Sequence, residues 1–217
     1  MNNDLYSKLS AIGFRISSEA RITGNDVPDF EETIIEACYE VDKDSRMLGL
    51  LFSWGIIHGQ YIILEKFLKY YNEGIKYRGT CPWIAAFCAH MASHGVNKFK
   101  KGIEVFKEEI WMSGRKEKSL LKIKGAIPYL LELNIHVPTS YVEIREQDVL
   151  TPKELLRKNP QYKNRYTYGA NWRADIVWEI EKGAENANKI SKYLRVRYPT
   201  VLSIFKEYKL LVEIQKS

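Results

Sequence analysis

Hydrophobic residues recur through most of this chain at spacings of three and four positions, the period of an α-helix with one buried face. The pattern predicts helices at about 29–41, 45–58 and 61–74, a helix that begins at Pro82, and another through 99–110. The helix at 45–58 is apolar on nearly every side, so we expect it at the centre of the core. The chain is therefore predicted to be mainly α-helical.

The middle of the chain departs from this helical pattern. Two short β-branched stretches, 135–138 and 141–144, predict a small hairpin or an extended connector, which would be a minimal β element. Thr151 and Glu154 have the spacing of a capping box, with proline at the first helical position, and the stretch 157–171 is polar and contains several tyrosines. We interpret 151–170 as a linker or arm. The predicted organisation is a helical domain at 1–150, this linker, and a C-terminal domain at 171–217.

The C-terminal domain carries three helical stripes of apolar residues. The first is predicted at about 171–182, the second at about 186–194, and the third begins at Pro199. Ala187 is small enough to let two helices cross closely, and Val196 in the turn fills the gap between them. The third helix would then project its N-terminal residues away from the domain, as in a helix-turn-helix.

The outward positions of this unit carry basic and hydroxyl side chains. Arginine and lysine neutralise phosphates, and tyrosine or threonine at a helix start can reach a phosphate or a base edge. The spacing therefore predicts binding to duplex DNA. The candidate contact residues are Lys192, Arg195, Arg197, Tyr198, Thr200, Ser203 and Lys206.

This stretch resembles the helix-turn-helix of bacterial transcriptional regulators, whose core often reads Ala-x-x-x-Gly/x-Val-Ser-x-x-Thr-Val. The resemblance covers about residues 171–214 and departs from the pattern in two places: Leu194 and Arg195 stand at the turn in place of the usual glycine, and Pro199 follows Tyr198. The matching residues are Ala187, Val196, Tyr198, Thr200 and Val201. Apolar and polar residues alternate over 210–214, a pattern typical of a β-strand, which suggests the start of the β-hairpin wing found beside some helix-turn-helix units. The resemblance implies a sequence-specific regulator, and the weakness of one small module predicts a homodimer.

Charge is distributed unevenly along the chain. Residues 151–217 hold 14 Lys+Arg and 7 Asp+Glu, whereas residues 1–150 hold 19 and 20. A basic C-terminal third favours a polyanionic partner, although solvated, lysine-rich helix faces would give the same balance. The acidic residues within 26–44 are interpreted as a solvated face; the alternatives are a shield for a basic partner surface and weak mimicry of DNA.

A second basic segment lies just before the three helices. Arg165, Tyr168 and Arg173 alternate with other aromatic residues, and such a segment can stack on bases or follow a minor groove. The alternative is a strap whose aromatic side chains dock on the C-terminal core. We treat these three residues as candidate arm contacts with nucleic acid.

No motif in the sequence indicates catalysis. His90 and His94 have a spacing that can hold a metal, but histidines packed against aromatic residues are more common, so we expect neither metal nor cofactor. Cys81 at a helix start is interpreted as a buried apolar residue rather than a nucleophile. We therefore do not expect an enzyme.

The cysteine pattern and the N-terminus favour the cytoplasm. The three cysteines form no CxxC pair, and the N-terminus has no signal-peptide pattern. The longest apolar stretch, 47–57, is too short to span a bilayer, so no membrane association is expected. The alternative to a DNA-binding regulator is a protein-interaction module, such as an antitoxin or adaptor without catalytic activity. The DNA hypothesis requires the leading end of the last helix and its flanking arginines to be exposed and free of carboxylates.

Overall fold

The computed structural model describes residues 3–16, 27–112 and 115–216, and it is mainly helical, as the hydrophobic pattern predicts. Two-residue strands pair in parallel, joining Ile110 to Ile135 and Trp111 to His136. None of the helices in these ranges is both long and apolar enough to cross a membrane. The elements are α1 Asn3–Ala11, α2 Phe30–Glu40, α3 Arg46–His58, α4 Leu64–Arg78, α5 Pro82–Ser93, β1 Ile110–Trp111, α6 Arg115–Lys124, α7 Pro128–Leu131, β2 Ile135–His136, α8 Pro152–Lys158, α9 Pro160–Tyr168, α10 Trp172–Glu181, α11 Ala187–Leu194 and α12 Tyr198–Lys216.

The main core forms around α3, whose central position confirms the prediction from its apolar sequence. Trp54 is fully buried there, stacks on Phe14 and donates its indole N–H to the carbonyl of Ile12 at 2.8 Å. Asp29 caps α2 by accepting a hydrogen bond from the backbone N–H of Glu32. Local sequence therefore sets where α2 begins.

Two predicted helices in this part of the chain are wrong in extent or in kind. α4 does not end near Gly74 but continues to Gly79, which adopts a positive φ of 77°. Residues 99–110 form a 3₁₀ turn and an extended segment instead of a helix. The backbone of that segment bonds to a distant part of the chain, since Ile110 N–H donates to the carbonyl of Asn134 at 2.8 Å. Of the two alternatives for 135–144, the hairpin is wrong, because Ile135 and His136 pair in parallel with β1 and the rest of the stretch is a connector with one 3₁₀ turn at Thr139–Tyr141.

Residues 151–170 form α8 and α9 rather than a linker. Thr151 and Glu154 make a reciprocal capping box at the start of α8, and Asn159 caps α9. Tyr162 of α9 is fully buried, and its hydroxyl lies 2.9 Å from Nδ1 of His58. These two helices therefore pack on the main core, and a short turn at Gly169 joins α9 to α10.

Helices α10, α11 and α12 enclose a second, smaller core. Their bounds match the three predicted stripes closely, and Gly183 ends the first stripe with a φ of 97°. α12, however, continues as a helix through residues 210–214, so the predicted wing strand is wrong. The buried residues of this core are Ile176, Ile180, Ala187, Ile190, Leu194 and Val201. We call α10–α12 the C-terminal unit.

Candidate nucleic-acid interface

The turn between α11 and α12 is held by its own backbone and one serine. Asn186 starts α11 by accepting a hydrogen bond from Lys189 N–H at 2.9 Å. Arg195 ends it in the left-handed conformation, with a φ of 54°, which explains why glycine is usual at this position. Val196 N–H then donates to the carbonyl of Ser191, whose hydroxyl donates back to the carbonyl of Val196 at 2.8 Å. The turn is therefore well defined despite the absent glycine.

Every residue predicted to contact DNA at this turn is exposed. Tyr198, at the start of α12, has 45% of its surface accessible to solvent. Among the described residues, no hydrogen bond or ion pair engages the side chains of Lys192, Arg197 or Lys206. We call the following set the basic face: Lys192, Arg195, Arg197, Tyr198, Thr200, Ser203 and Lys206.

At the leading end of α12, side chains rather than backbone N–H groups are available to bind a phosphate. Pro199 has no N–H, and the N–H of Thr200 is already bonded to the carbonyl of Arg197 at 3.1 Å. A phosphate at this end would therefore be held mainly by guanidinium, ammonium and hydroxyl groups. The unpaired cations nearest the turn are Arg197 and Lys192.

Arg195 does not meet the requirement for a guanidinium free of carboxylates. Its Nη1 donates to Oε2 of Glu73 on α4 at 2.5 Å, and its backbone carbonyl accepts a hydrogen bond from Lys69 at 2.8 Å. The first contact holds the side chain against the main body, and the second holds the backbone of the turn. Arg195 thus joins the turn to α4 in this structure.

An acidic groove lies beside this contact. It encloses about 410 Å³ between α2, α4 and the end of α11. Its acidic lining residues, Asp29, Glu32, Glu36 and Glu73, outnumber its two arginines, Arg78 and Arg195, and its tyrosines are Tyr39, Tyr70, Tyr77 and Tyr193. The carboxylates of this groove would repel a polyanion bound to the basic face. The groove and the basic face together therefore limit the orientations in which a duplex can bind.

Two further candidate residues of the basic face and arm meet on one carboxylate. Ser203 donates its hydroxyl to Glu207 at 3.1 Å, and Arg173 donates to the same carboxylate at 2.8 Å. All three side chains are accessible, since Arg173 is half-buried and the others are exposed. Arg173 and Ser203 therefore lie near each other on the C-terminal unit, while Tyr168 is half-buried at the end of α9.

Arg165 is not an arm residue, and its predicted contact with nucleic acid is wrong. Its side chain is completely buried and forms two-pronged hydrogen bonds with Glu31 and Asp175, at 2.6–2.9 Å. It also donates to the carbonyl of Tyr61 at 3.2 Å. Glu31 is fully buried as well, so the acidic segment of α2 is not wholly a solvated face.

Lys66 completes this buried cluster. Its ammonium bonds to Asp29 and lies 2.5 Å from Asp175 and 3.5 Å from Glu31. Burial opposes ionisation here, but the adjacent carboxylates, Asp175 foremost, hold the pKa of Lys66 above its usual range. Burial raises the pKa of Asp29 to about 6, against the attraction of Lys66. We call Asp29, Glu31, Lys66, Arg165 and Asp175 the ion cluster.

The ion cluster joins the C-terminal unit to the main body. Its residues come from α4, α9, α10, α2 and the cap of α2, which meet at this point. Asp29, Glu31 and Asp175 bring their oxygens within 4.8 Å of one another, a spacing that suits a metal. Lys66 and Arg165 contact all three carboxylates and offset two of their three negative charges, so the cluster fits a structural role better than a metal centre.

The histidines occupy packing positions. His90 stacks on Phe52 and its Nδ1 lies 2.7 Å from the hydroxyl of Tyr129, while Nδ1 of His94 lies 2.9 Å from the carbonyl of His90. Burial lowers the pKa of His90 to about 3 and that of His58 to about 4. Cys81 is buried, which raises the pKa of its thiol to about 11, and it is not poised as a nucleophile.

Sequence reasoning missed the residues that fix the C-terminal unit in place. Glu73 lies 122 positions from Arg195, and Lys66 lies 109 positions from Asp175. Local sequence contains no signal for such pairs, apart from the presence of charged residues within apolar stripes. Comparison of the chain with protein-family models, curated proteins and solved structures found no match.

Proposed function

We propose that this protein binds duplex DNA through the basic face and acts as a cytoplasmic transcriptional regulator of the bacterial type. It would act as a homodimer, because one small module binds weakly and two half-sites raise affinity and specificity. One observation carries the proposal: the turn and the leading end of α12 expose unpaired cations and hydroxyls beside a well-packed three-helix core. Three buried, free cysteines agree with a reducing compartment.

Within the proposed interface, the side chains divide between two tasks. Lys192, Arg197 and Lys206 are cations without an internal partner among the described residues, so they suit phosphates. Tyr198 and Thr200 stand at the leading end of α12, where recognition helices meet base edges. The ion cluster fixes this face relative to the main body, which would supply sensing or dimerisation.

The proposal is tested with the Arg197→Ala variant in fluorescence anisotropy on labelled duplexes across a salt series. We expect an affinity loss of roughly tenfold at moderate salt and a salt slope smaller by about 1, because one phosphate contact is removed. The matched control is Arg157→Ala, an exposed arginine of α8 in the main body. Equal affinity for the two variants, or wild-type binding that does not depend on salt, would contradict the proposal.

Glu73→Ala is expected to strengthen DNA binding about three- to tenfold at low salt. The substitution releases the guanidinium of Arg195 and removes one negative charge beside the basic face. Anisotropy titration measures the change, with Glu132→Ala as a control that removes the same charge at the end of α7. Unchanged or weaker binding by Glu73→Ala would show that Arg195 does not meet DNA.

A further inference from the structure

The acidic groove is built by both parts of the molecule. Its walls are α2 and α4 of the main body and the end of α11 in the C-terminal unit, and it encloses about 410 Å³. Cavities of this size that lie where two parts of a chain meet are common binding sites for small molecules. The groove therefore has the size and the position of a ligand site.

The carboxylates of the groove lie at two levels, because α2 and α4 run side by side in the same direction. Asp29, which caps the start of α2, contacts Lys66 in the first turn of α4. Tyr39, near the end of α2, donates its hydroxyl to the carbonyl of Gly79 just after α4, at 2.8 Å. Two pairs of carboxylates therefore follow each other about one helical turn, or about 5.4 Å, apart. The pairs are Asp29 with Glu32, and Glu36 with Glu73.

One negative charge of the ion cluster is not offset by a cation, and the cluster opens into this groove at Asp29. The three carboxylates of the cluster face only two cations, Lys66 and Arg165. Glu31 and Asp175 are buried, whereas the side chain of Asp29 is 21% exposed and lines the groove. A charge left uncompensated in a buried cluster is costly, so a cation bound beside Asp29 would stabilise the cluster.

Two guanidinium groups of the chain itself already lie in the groove. That of Arg78 lies over the ring of Tyr39, 5.4 Å from its centroid, and that of Arg195 contacts Glu73 at 2.5 Å. Aromatic faces beside carboxylates bind organic cations, which are attracted by both the ring and the charge. The groove therefore has the chemistry of a site for an organic cation, and a residue of the basic face uses part of it.

The carboxylates are spaced too widely to hold a metal ion. In the ranges that the structure describes, one group of three possible ligands has its atoms within 4.8 Å of one another, namely Asp29, Glu31 and Asp175. The ammonium of Lys66 lies among those three carboxylates. The glutamates of the groove form no such group. Negative charges at two separate levels fit a ligand whose two cations are joined by an apolar chain.

We propose that the acidic groove binds an aliphatic diamine, with one ammonium at Asp29 and Glu32 and the other at Glu73. The methylene chain of the ligand packs on the ring of Tyr70, which also lines the groove. The second ammonium takes the place of the guanidinium of Arg195 on Glu73. Diamine binding and the contact between Arg195 and Glu73 therefore compete with each other.

This competition gives the groove a regulatory role, a point that rests on the function proposed above. A released Arg195 adds one free cation to the basic face. The diamine and duplex DNA then strengthen each other's binding by the same factor, because coupling between two sites is reciprocal. The expected factor is about three- to tenfold at low salt, as for the loss of Glu73. Binding of the diamine itself does not depend on DNA.

Isothermal titration calorimetry of the full chain with putrescine, at low salt and without DNA, tests the site. We expect saturable binding with a dissociation constant on the order of 0.1–1 mM, because the ligand is small and makes two charge contacts. Butylamine has one ammonium and Mg²⁺ requires closely spaced oxygens, so each should bind at least about tenfold more weakly. The net charge of +6 disfavours uptake of cations elsewhere on the chain.

The Asp29→Asn variant tests the first level of the groove. It should weaken putrescine binding more than about tenfold, because asparagine can still cap α2 but carries no charge. Asp148→Asn is the matched control, since it removes the same charge from a half-buried position outside the groove. Circular dichroism checks folding. Glu73→Gln, which should also weaken binding about tenfold, serves if Asp29→Asn unfolds the chain.

The Arg195→Gln variant tests the competition. It should strengthen putrescine binding about three- to tenfold, because it leaves Glu73 without its internal partner. Arg197→Gln is the matched control, since Arg197 is exposed and contacts no carboxylate among the described residues.

Four outcomes would overturn the proposal. They are no saturable binding below about 10 mM putrescine, Mg²⁺ or butylamine binding as tightly as putrescine, Asp29→Asn and Glu73→Gln binding like the Asp148→Asn control, and equal affinity of Arg195→Gln and Arg197→Gln. Since no DNA is present, none of these results depends on whether the basic face binds nucleic acid.

Discussion

Arg165→Met is expected to lower the free energy of unfolding by about 3–5 kcal/mol, the largest loss from any single substitution considered for this protein. The guanidinium of Arg165 is fully buried and makes paired hydrogen bonds to Glu31 and Asp175. Methionine fills a similar volume but leaves both carboxylates short of a buried partner. The expected cost arises from these uncompensated charges rather than from a cavity.

Urea denaturation at neutral pH measures this loss. Arg157→Met is the matched control, because Arg157 is exposed on α8 and its replacement should change stability by no more than about 0.5 kcal/mol. Arg165→Lys should fall between the two, because lysine keeps the charge but not the planar fork. If Arg165→Met were as stable as the Arg157→Met control, the ion cluster would not hold the C-terminal unit on the body.

Acidification from pH 7 to pH 4 is expected to destabilise the fold by several kcal/mol. His58 and His90 are buried, and their pKa values fall to about 4 and about 3. An unfolded histidine titrates near 6.5, so below that pH the unfolded chain takes up protons that the folded chain refuses. The contribution of each neutral, buried histidine to stability is therefore fully present above pH 6.5. It is lost as pH falls, and the loss reaches about 3 kcal/mol for each histidine at pH 4.

Asp29 acts in the opposite direction. Burial raises its pKa to about 6, so the folded chain takes up this proton before the unfolded chain does. As pH falls from about 6 towards 4, Asp29 offsets part of the loss caused by the histidines. The net slope is therefore expected to be positive but smaller than the two histidines alone would give.

The His58→Gln variant isolates one of these contributions. Below pH 6 its stability should fall less steeply than that of the wild type, by about 1.4 kcal/mol per pH unit, because one differential proton is removed. The control is Tyr162→Phe, which removes the hydroxyl beside Nδ1 but keeps the titrating imidazole. That variant should lose stability at pH 7 yet keep the slope. Equal slopes in wild type and His58→Gln would contradict the assignment.

Helix positions were predictable wherever a local signal exists. Asp29 and Pro82 mark helix starts, and the three C-terminal stripes match α10, α11 and α12. These signals work because caps and helical periodicity involve residues only a few positions apart. The prediction of a helix at 99–110 is wrong because the backbone hydrogen-bond partners of this segment lie near Asn134, more than twenty positions away. The capping box at Thr151 correctly marks the start of α8, but the segment of α9 is interpreted as part of a linker because most of its buried side chains are polar.

The sequence by itself determined the mainly helical fold, the three-helix C-terminal unit and the exposed basic face, since each depends on local spacing. Only the tertiary structure decided that Arg165 is buried, that Arg195 is paired with Glu73, and that α12 extends past its core. The same charged residue can lie in solvent, contact a phosphate or pair with a buried carboxylate, and its identity does not show which. Its environment depends on groups that folding brings close. Because those groups lie far away in the sequence, the residues around the charged side chain do not reveal them.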